Sequence, residues 1–271
     1  MARPEMDVAV DLAAAEGWNP GLDDAGAFRA ADPEGFLIGL LDGEPIGCVS
    51  AVSYEGRFGF IGLYIVAPRY RGQGYGIQLW NAAMARLSGH IVGLDGVVAQ
   101  QENYRRSGFT LAYRNVRFEG RGGGAVPADL VDARAVPFEV LTGYDRRMFP
   151  AARPAFLRAW IDAPGTHVLA SFDGQTLRGY GAIRPCRIGF KIGPLFADTP
   201  GLAEALYRGL SAHAPATAPV YLDAPEANPD AIALSERHGL RRVFETARMY
   251  TGSAPAVETS RVFGVTTFEL G

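Results

Sequence analysis

The stretch that decides the fold runs from residue 58 to residue 76 and reads FGFIGLYIVAPRYRGQGYG. Residues 58–66 are a nearly all-apolar run of β-forming residues, which predicts a strand buried on both faces of a sheet. After a bend at Pro68 comes a loop of alternating glycines. A predicted helix begins at this loop. It has an apolar stripe at steps of three and four residues: Ile77, Trp80, Met84 and Leu87.

The glycine loop, residues 71–76, predicts a pocket for a pyrophosphate. Its glycines let backbone N–H groups turn toward one point, and the helix N-terminus adds partial positive charge. Arg69 and Arg71 add full charges. The spacing is GxGxG rather than the GxGxxG of dinucleotide-binding folds, and no Gly-Lys-Ser/Thr of a phosphate-loop NTPase follows. A turn that needs glycine only for packing is the alternative, but packing alone does not call for two flanking arginines.

The surrounding sequence predicts one α/β unit. Two helices precede Gly35, and a strand hairpin follows over residues 36–41 and 46–53. Beyond the predicted helix come a strand at 91–98, a short helix at 102–107 and a strand at 111–118. The sequence GRGGGAVP at 120–127 then predicts a flexible linker.

The second half of the chain repeats the first. A shift of 131 residues lays Asp42-Gly43, Ile61-Gly62 and Gly108-Phe109 on Asp173-Gly174, Ile192-Gly193 and Gly239-Leu240. The order of predicted elements is also shared, so we predict two copies of one unit. The fold class is α/β (α+β), with two tandem units, each a mixed, mostly antiparallel sheet flanked by helices. The predicted domains are 1–120 and 135–271, with a linker at 121–134.

Composition and charge exclude several classes of function. The chain has 271 residues with 26 basic and 29 acidic side chains, a net charge of −3, which disfavours nucleic acid and anionic lipid as partners. No apolar run approaches membrane-spanning length, and no signal-peptide pattern opens the chain, so we expect a cytoplasmic protein. Cys48 and Cys186 lie far apart without a Cys/His cluster, so neither a disulfide framework nor a metal site is expected. The oligomeric state stays open.

These motifs resemble the GCN5-related N-acetyltransferase (GNAT) family. RGQGYG at 71–76 matches the family's Arg/Gln-x-x-Gly-x-Gly/Ala loop, and NYRRSGF at 103–109 is similar to its Asn…Tyr-x-x-x-Gly-Phe segment. The second half resembles the degenerate C-terminal domain of a bacterial subset of the family. The resemblance implies that acetyl-CoA is the cosubstrate and that an amine is the acceptor.

The resemblance also implies roles for individual residues. Backbone groups of Leu63, Tyr64, Ile65 and Val66 would bind the pantetheine arm, with Asn103 beside it. The amides of Arg71, Gly72, Gln73, Gly74, Tyr75 and Gly76 would hold the pyrophosphate. Tyr104 would be the general acid that protonates the leaving thiolate, because a phenol with a pKa of about 10 can protonate a thiolate whose conjugate acid has a pKa of about 8.5. The alternative for Tyr104 is a packing role only.

The general base and the acceptor pocket are less defined. Glu55, Asp95 and Glu102 are candidate bases, although isolated carboxylates are usually solvated. In the family the region before the sheet often builds the acceptor wall, which would here involve Trp18, Asn19, Asp23 and Asp24.

The second copy lacks the motif. At the same shift, the glycine loop becomes Leu202, Ala203, Glu204, Ala205 and Tyr207, and Ser235 replaces Tyr104. An acid inside the helix would repel a pyrophosphate, so only the first copy is expected to bind acyl-CoA. The second copy either shapes the acceptor pocket, with Arg184, Asp223, Glu226 and Glu245 as candidate contacts, or only stabilises the first.

The sequence therefore predicts an N-acetyltransferase. Transfer would go directly from the CoA thioester to a small-molecule amine or a peptide in a ternary complex. No nucleophile is indicated, because Cys48 falls in a predicted core strand. The alternative is a non-catalytic acyl-CoA sensor that meets a protein partner.

Overall fold

The first half of the chain folds into the predicted unit. The computed structural model describes Met1 and residues 3–271, the side chain of Arg3 excepted. The elements of this half are α1 (Arg3–Ala15), α2 (Asp24–Ala31), β1 (Phe36–Leu41), β2 (Glu44–Tyr54), β3 (Phe58–Val66), α3 (Tyr75–Arg86), β4 (Ile91–Val97), α4 (Gln101–Arg106) and β5 (Phe109–Arg121). The predicted order of helices and strands is confirmed.

The second half repeats this order, including the two helices before the hairpin, and adds a short strand at each end. Its elements are β6 (Val131–Asp132), α5 (Phe138–Met148), α6 (Pro154–Ile161), β7 (His167–Phe172), β8 (Leu177–Pro185), β9 (Phe190–Ala197), α7 (Pro200–Ser211), β10 (Pro219–Pro225), α8 (Pro229–Arg237), β11 (Arg241–Thr251) and β12 (Val262–Gly264). Hairpin, strand, helix, strand, helix and strand follow one another as in the first half.

The two halves share one twelve-stranded sheet, in which their last strands are interleaved. The order is β1-β2-β3-β4-β11-β5-β10-β9-β8-β7-β6, with β12 paired to β9. Strand β11 of the second half thus lies between β4 and β5 of the first, antiparallel to both. The division at residues 120 and 135 stays a prediction, since hydrogen bonds of the sheet run across it.

Strands β3 and β4 separate halfway along their length. They pair in parallel only where residues 58–61 face residues 91–94. Just beyond, Leu63 takes a positive φ of 46° and the register between β2 and β3 shifts, so that β3 bends away. Among the described residues, the edge of β3 that faces β4 has no strand partner after Ile61, and a wedge opens in the sheet.

The corresponding wedge of the second half is filled. Strands β9 and β10 also pair in parallel over a short length, where residues 190–192 face 220–222. Here β12 pairs with β9 at Leu195 and Phe196, and the buried Phe263 joins the surrounding apolar core. The chain's own backbone therefore occupies the second wedge.

Helix α3 covers the first half of the sheet. Its buried face carries Leu79, Trp80 and Ala83, and Leu87 follows at its end. The predicted stripe is wrong at Ile77, which is 57% exposed because it borders the wedge instead of the core. Among the described residues, no helix is long and apolar enough to cross a membrane.

Candidate active site

The wedge between β3 and β4 opens into a cavity of about 690 Å³. Its wall includes residues 61–66 of β3, residues 94–97 of β4, Arg71, Gly72, Gly76, Ile77, Trp80, Asn103 and Tyr104. Most sequence-predicted site residues of the first half are therefore brought together. Gln73, Gly74 and Tyr75 stand outside this wall, at the start of α3.

The glycine loop presents open backbone at the start of α3. Gly72 and Gly74 have positive φ values of 73° and 86°, and no heavy atom lies within 4 Å of the place where a Cβ would stand. Gly74 is the N-cap of α3, so the free N–H groups of the first helical turn lie beside this open space. The geometry suits an anion held by backbone amides.

The two loop arginines are engaged with carboxylates. Arg69 pairs with Glu44 at 3.1 Å, and both side chains are about two-thirds exposed. Arg71 donates from Nε to the carbonyl of Val66 at 2.7 Å and from Nη2 to Glu16. Arg71 thereby ties the loop to the end of β3 and to α1, and the full positive charges expected from the sequence are partly neutralised.

Tyr104 lies in the cavity wall, and its ring contacts that of Trp80 at a centroid distance of 5.6 Å. Burial, with a smaller contribution from the nearby Tyr64, raises the pKa of Tyr104 to about 12. The phenol is therefore protonated at neutral pH and able to donate. The adjacent Asn103 donates to the side-chain carbonyl of Gln100 at 2.6 Å.

The three carboxylates predicted as candidate bases are not free in the cavity. Asp95 lines it, but its carboxylate accepts hydrogen bonds from Arg248 at 2.5 and 2.8 Å and from Asn115 at 2.7 Å. Burial alone would lower the pKa of Arg248, but the charge of Asp95 holds that pKa well above its usual value, so Arg248 keeps its charge. Glu55 lies at the β2–β3 turn, against the amide of Ala152, and Glu102 pairs with Arg105; neither lines the cavity.

The far wall of the cavity comes largely from the second half of the chain. Phe244 and Thr246 reach it from β11, and Phe268 and Glu269 from the C-terminal tail, which we define as residues 265–271. Trp18 completes this wall, and Arg117 donates to its carbonyl at 2.8 Å. The sequence predicted Trp18 but missed the other four, because no motif marks them.

The other polar residues expected near the acceptor do not line the cavity. Asp24 forms a buried ion pair with Arg184, and Asp223 forms one with Arg117. Glu245 pairs with Arg114 on β5. Asn19 binds the backbone of Ile188 through its amide, and Asp23 and Glu226 do not line the cavity. The second half does shape the pocket, but through other residues than those predicted.

Comparison with known proteins agrees with this architecture. Residues 6–109 match the model of the acetyltransferase (GNAT) family, and residues 141–264 match that of an acetyltransferase (GNAT) domain. The holothin acyltransferase of Pseudoalteromonas sp. is 31% identical over 98% of this chain and 92% of its own length. The chain belongs to the GNAT family of acyltransferases.

Solved structures of the family share the fold over the whole chain. A candidate acetyltransferase from Pyrococcus horikoshii superposes with a TM-score of 0.84 at 23% identity, covering all of this chain and 94% of the other. A tandem GNAT protein from the clavulanic acid biosynthesis pathway gives 0.61 at 15% identity, covering 92% and 94%. Tandem GNAT halves are thus an established arrangement, and proteins of this fold generally bind acetyl-CoA or another acyl-CoA.

Proposed function

We propose that this chain transfers an acetyl group from acetyl-CoA directly to the primary amine of a small molecule. The observation that carries the proposal is the cavity between β3 and β4, which joins an open glycine loop at one end to a protonated, half-buried Tyr104 and a largely aromatic wall at the other. Only the first half of the chain would hold the cosubstrate.

The described residues fit the parts of acetyl-CoA. The pyrophosphate would bind the amides of residues 72–76, where positive φ values leave the backbone open. The pantetheine arm would lie along the unpaired edge of β3 and hydrogen-bond its backbone at residues 63–66. The thioester would then lie where β3 bends at Leu63, across from Tyr104.

Tyr104 supplies the proton that the leaving group needs. The amine nitrogen bonds to the thioester carbonyl carbon, the C–S bond breaks, and its electron pair goes to sulfur. Tyr104 gives its proton to that sulfur, and the proton that nitrogen loses on forming the amide restores the phenol. Burial raises the pKa of Tyr104 to about 12, so the phenol still carries this proton at neutral pH.

A covalent acyl-enzyme has no support from the cysteines. Cys48 is fully buried in β2 and donates to the carbonyl of Leu63 at 3.1 Å. Burial raises the pKa of this thiol to about 12, so the thiolate that a nucleophile requires does not form. Direct transfer within a ternary complex is the remaining route.

The far wall favours a compact acceptor with an apolar body. Trp18, Phe244 and Phe268 line it with aromatic rings, and the cavity volume has to accommodate the end of the pantetheine arm as well. A small amine fits this space better than a polypeptide. The similarity, over 98% of this chain, to a holothin acyltransferase supports holothin as a candidate acceptor.

Thiol release from acetyl-CoA tests the proposal. The purified chain is mixed with acetyl-CoA and with phenethylamine, holothin, glucosamine or a short peptide, while free CoA is measured with a thiol reagent and the acylated product by mass spectrometry. We expect release with phenethylamine or holothin and little with the peptide. Binding of acetyl-CoA without release for any amine would instead indicate a sensor.

Replacing Gly74 with alanine tests the glycine loop. A non-glycine residue in the left-handed region costs about 1–2 kcal/mol, so the loop either strains or rearranges and loses its open amides. We expect Gly74→Ala to raise the KM for acetyl-CoA about tenfold, the equivalent of 1.4 kcal/mol. Steady-state kinetics at varied concentrations of acetyl-CoA measure this KM.

Gly43→Ala is the matched control. Gly43 lies in the β1–β2 turn with a φ of 84° and nothing within 4 Å of its missing Cβ. Alanine at position 43 therefore meets the same backbone strain as alanine at position 74, but away from the cavity. We expect a similar loss of stability and an unchanged KM for acetyl-CoA. Equal KM values for the two variants would argue against the loop as the pyrophosphate site.

A further inference from the structure

The C-terminal tail runs from the wedge of the second half into the wedge of the first. It leaves β12, and the carbonyl of Val265 passes 2.7 Å from the place of a Cβ on Gly193. Further along, the Cα of Glu269 lies 2.9 Å from the place of a Cβ on Gly62. Gly62 and Gly193 are counterparts in the two halves, so the tail crosses the same position of β3 and of β9, and any side chain there would displace it.

Buried contacts fix the tail on both sides of Glu269. Arg153 donates to Thr266 Oγ1 at 2.9 Å and to the carbonyl of Gly271 at 3.2 Å. Tyr54 donates from its hydroxyl to the carbonyl of Leu270 at 3.2 Å. The position of Glu269 next to the bend of β3 is therefore set by the fold and not by a loose chain end.

Glu269 is a buried carboxylate without a cation. Each of the other four carboxylates with almost no exposed side chain forms a close ion pair with an arginine: Asp24 with Arg184, Asp95 with Arg248, Asp145 with Arg153 and Asp223 with Arg117. The carboxylate of Glu269, which is 3% exposed, accepts only from the hydroxyl of Thr267 and the structure records no ion pair for it among the described residues.

Three cationic groups lie around Glu269, but among the described residues none is within ion-pairing distance of its carboxylate. Arg117, Arg184 and Lys191 lie close enough to feel its charge. Arg117 and Arg184 bind Asp223 and Asp24, and Lys191 donates to the carbonyl of Asn19 at 2.9 Å. The other carboxylate near this wall, Glu16, pairs with Arg71.

Burial of a carboxylate without a contacting cation is costly, and a cationic group that enters the cavity beside it lowers that cost. In the same wall, the hydroxyl of Thr246 is buried and has no hydrogen-bond partner among the described residues. Glu269 and Thr246 thus belong to the wall of one cavity, which also has aromatic sides. A primary ammonium, which carries one charge and three donors, supplies the cation that the carboxylate of Glu269 lacks.

We propose that Glu269 binds the ammonium of the acceptor and takes its proton, which makes the C-terminal tail part of the active site. This role rests on the acyl transfer proposed above. One proton passes from the ammonium to the carboxylate, and the neutral nitrogen then attacks the thioester carbonyl. Glu269 returns its proton to water when the products leave, so the two protons of the reaction pass through Glu269 and Tyr104 separately.

The test uses the full chain with Glu269→Gln, which keeps the size of the side chain and removes its charge. Phenethylamine is the acceptor and acetyl-CoA the donor. We expect kcat/KM for phenethylamine at pH 7 to fall about 10²–10⁴-fold, the usual effect of losing a general base. The KM for acetyl-CoA should stay unchanged, and Glu139→Gln, an exposed carboxylate on α5, should match the wild type.

The pH profile separates a base from a structural residue. An alkylammonium loses its proton near pH 10 without help, so the rate of Glu269→Gln should rise about tenfold per pH unit toward that value and approach the wild type. A loss that is the same at every pH, or a kcat/KM within threefold of wild type at pH 7, would overturn the proposal.

A binding measurement keeps this inference distinct from the proposed function. Calorimetry with phenethylamine and the protein loaded with CoA, where no transfer can occur, should show a weaker Kd for Glu269→Gln than for wild type. If the wild type transfers acetyl groups but the variant binds and reacts equally well, only the role of Glu269 fails. If CoA and amine bind as expected but no transfer occurs, the proposed function fails, and with it the proton transfer to Glu269.

Discussion

Tyr104→Phe should lower kcat for acetyl transfer by about 10²–10⁴-fold, because the thiolate of CoA then leaves without a proton donor. The substitution removes only the hydroxyl and retains the ring that packs against Trp80. The KM for acetyl-CoA and the stability of the chain should therefore change little. Stopped reactions with quantification of free CoA measure the effect.

A second tyrosine and a pH profile complete this test. Tyr221→Phe removes a hydroxyl from β10, outside the cavity, and should leave kcat unchanged. In the wild type, kcat should show no alkaline decline from Tyr104 below about pH 10, because burial raises the pKa of this phenol to about 12 and keeps it protonated. A wild-type kcat in Tyr104→Phe would show that Tyr104 is not the general acid.

Arg153→Met should lower the free energy of unfolding by about 3–5 kcal/mol, because it leaves Asp145 as an uncompensated buried charge. Arg153 makes two hydrogen bonds of 2.8 Å to that carboxylate, and both side chains are almost fully buried. It also anchors the tail at Thr266 and Gly271, so the position of Glu269 should suffer along with stability. Urea denaturation gives the change.

Arg147→Met provides the comparison for a partly exposed pair. Arg147 also makes two hydrogen bonds to one carboxylate, that of Glu258, but both side chains are about 40% exposed. Such pairs contribute about 0–1 kcal/mol. If both variants lost the same small amount of stability, Arg153 would not be the anchor that the structure indicates.

The parts of the site that local sequence patterns mark were predictable from the sequence. The strand over 58–66, the glycine loop and Tyr104 are marked by local patterns, and the structure places most of them around one cavity. The pattern failed at Ile77, because the spacing of apolar residues does not distinguish a helix face on the core from one on a cavity.

Long-range pairing explains what the sequence could not provide. Asp95 reads as a free carboxylate at a strand end, but its partner Arg248 lies on β11, which enters the sheet from the second half. Glu269 lies in a tail whose path depends on the pairing of β12 with β9. Neither contact leaves a periodic or motif-like signal in the chain.

Repetition in the sequence also predicts which half binds acyl-CoA. The shift that laid Gly62 on Gly193 also identified the loss of the glycine loop in α7. The structure adds a second reason, because β12 and Phe263 occupy the wedge of the second half. The second half therefore lacks both the glycine loop and the open wedge that the first half has.

Calorimetric titration of the full chain with acetyl-CoA tests the central claim most directly. We expect one binding site per chain, formed by the first half, with an affinity that drops in Gly74→Ala and is unchanged in Gly43→Ala. Two sites per chain, or one site with an affinity that Gly74→Ala leaves intact, would contradict it.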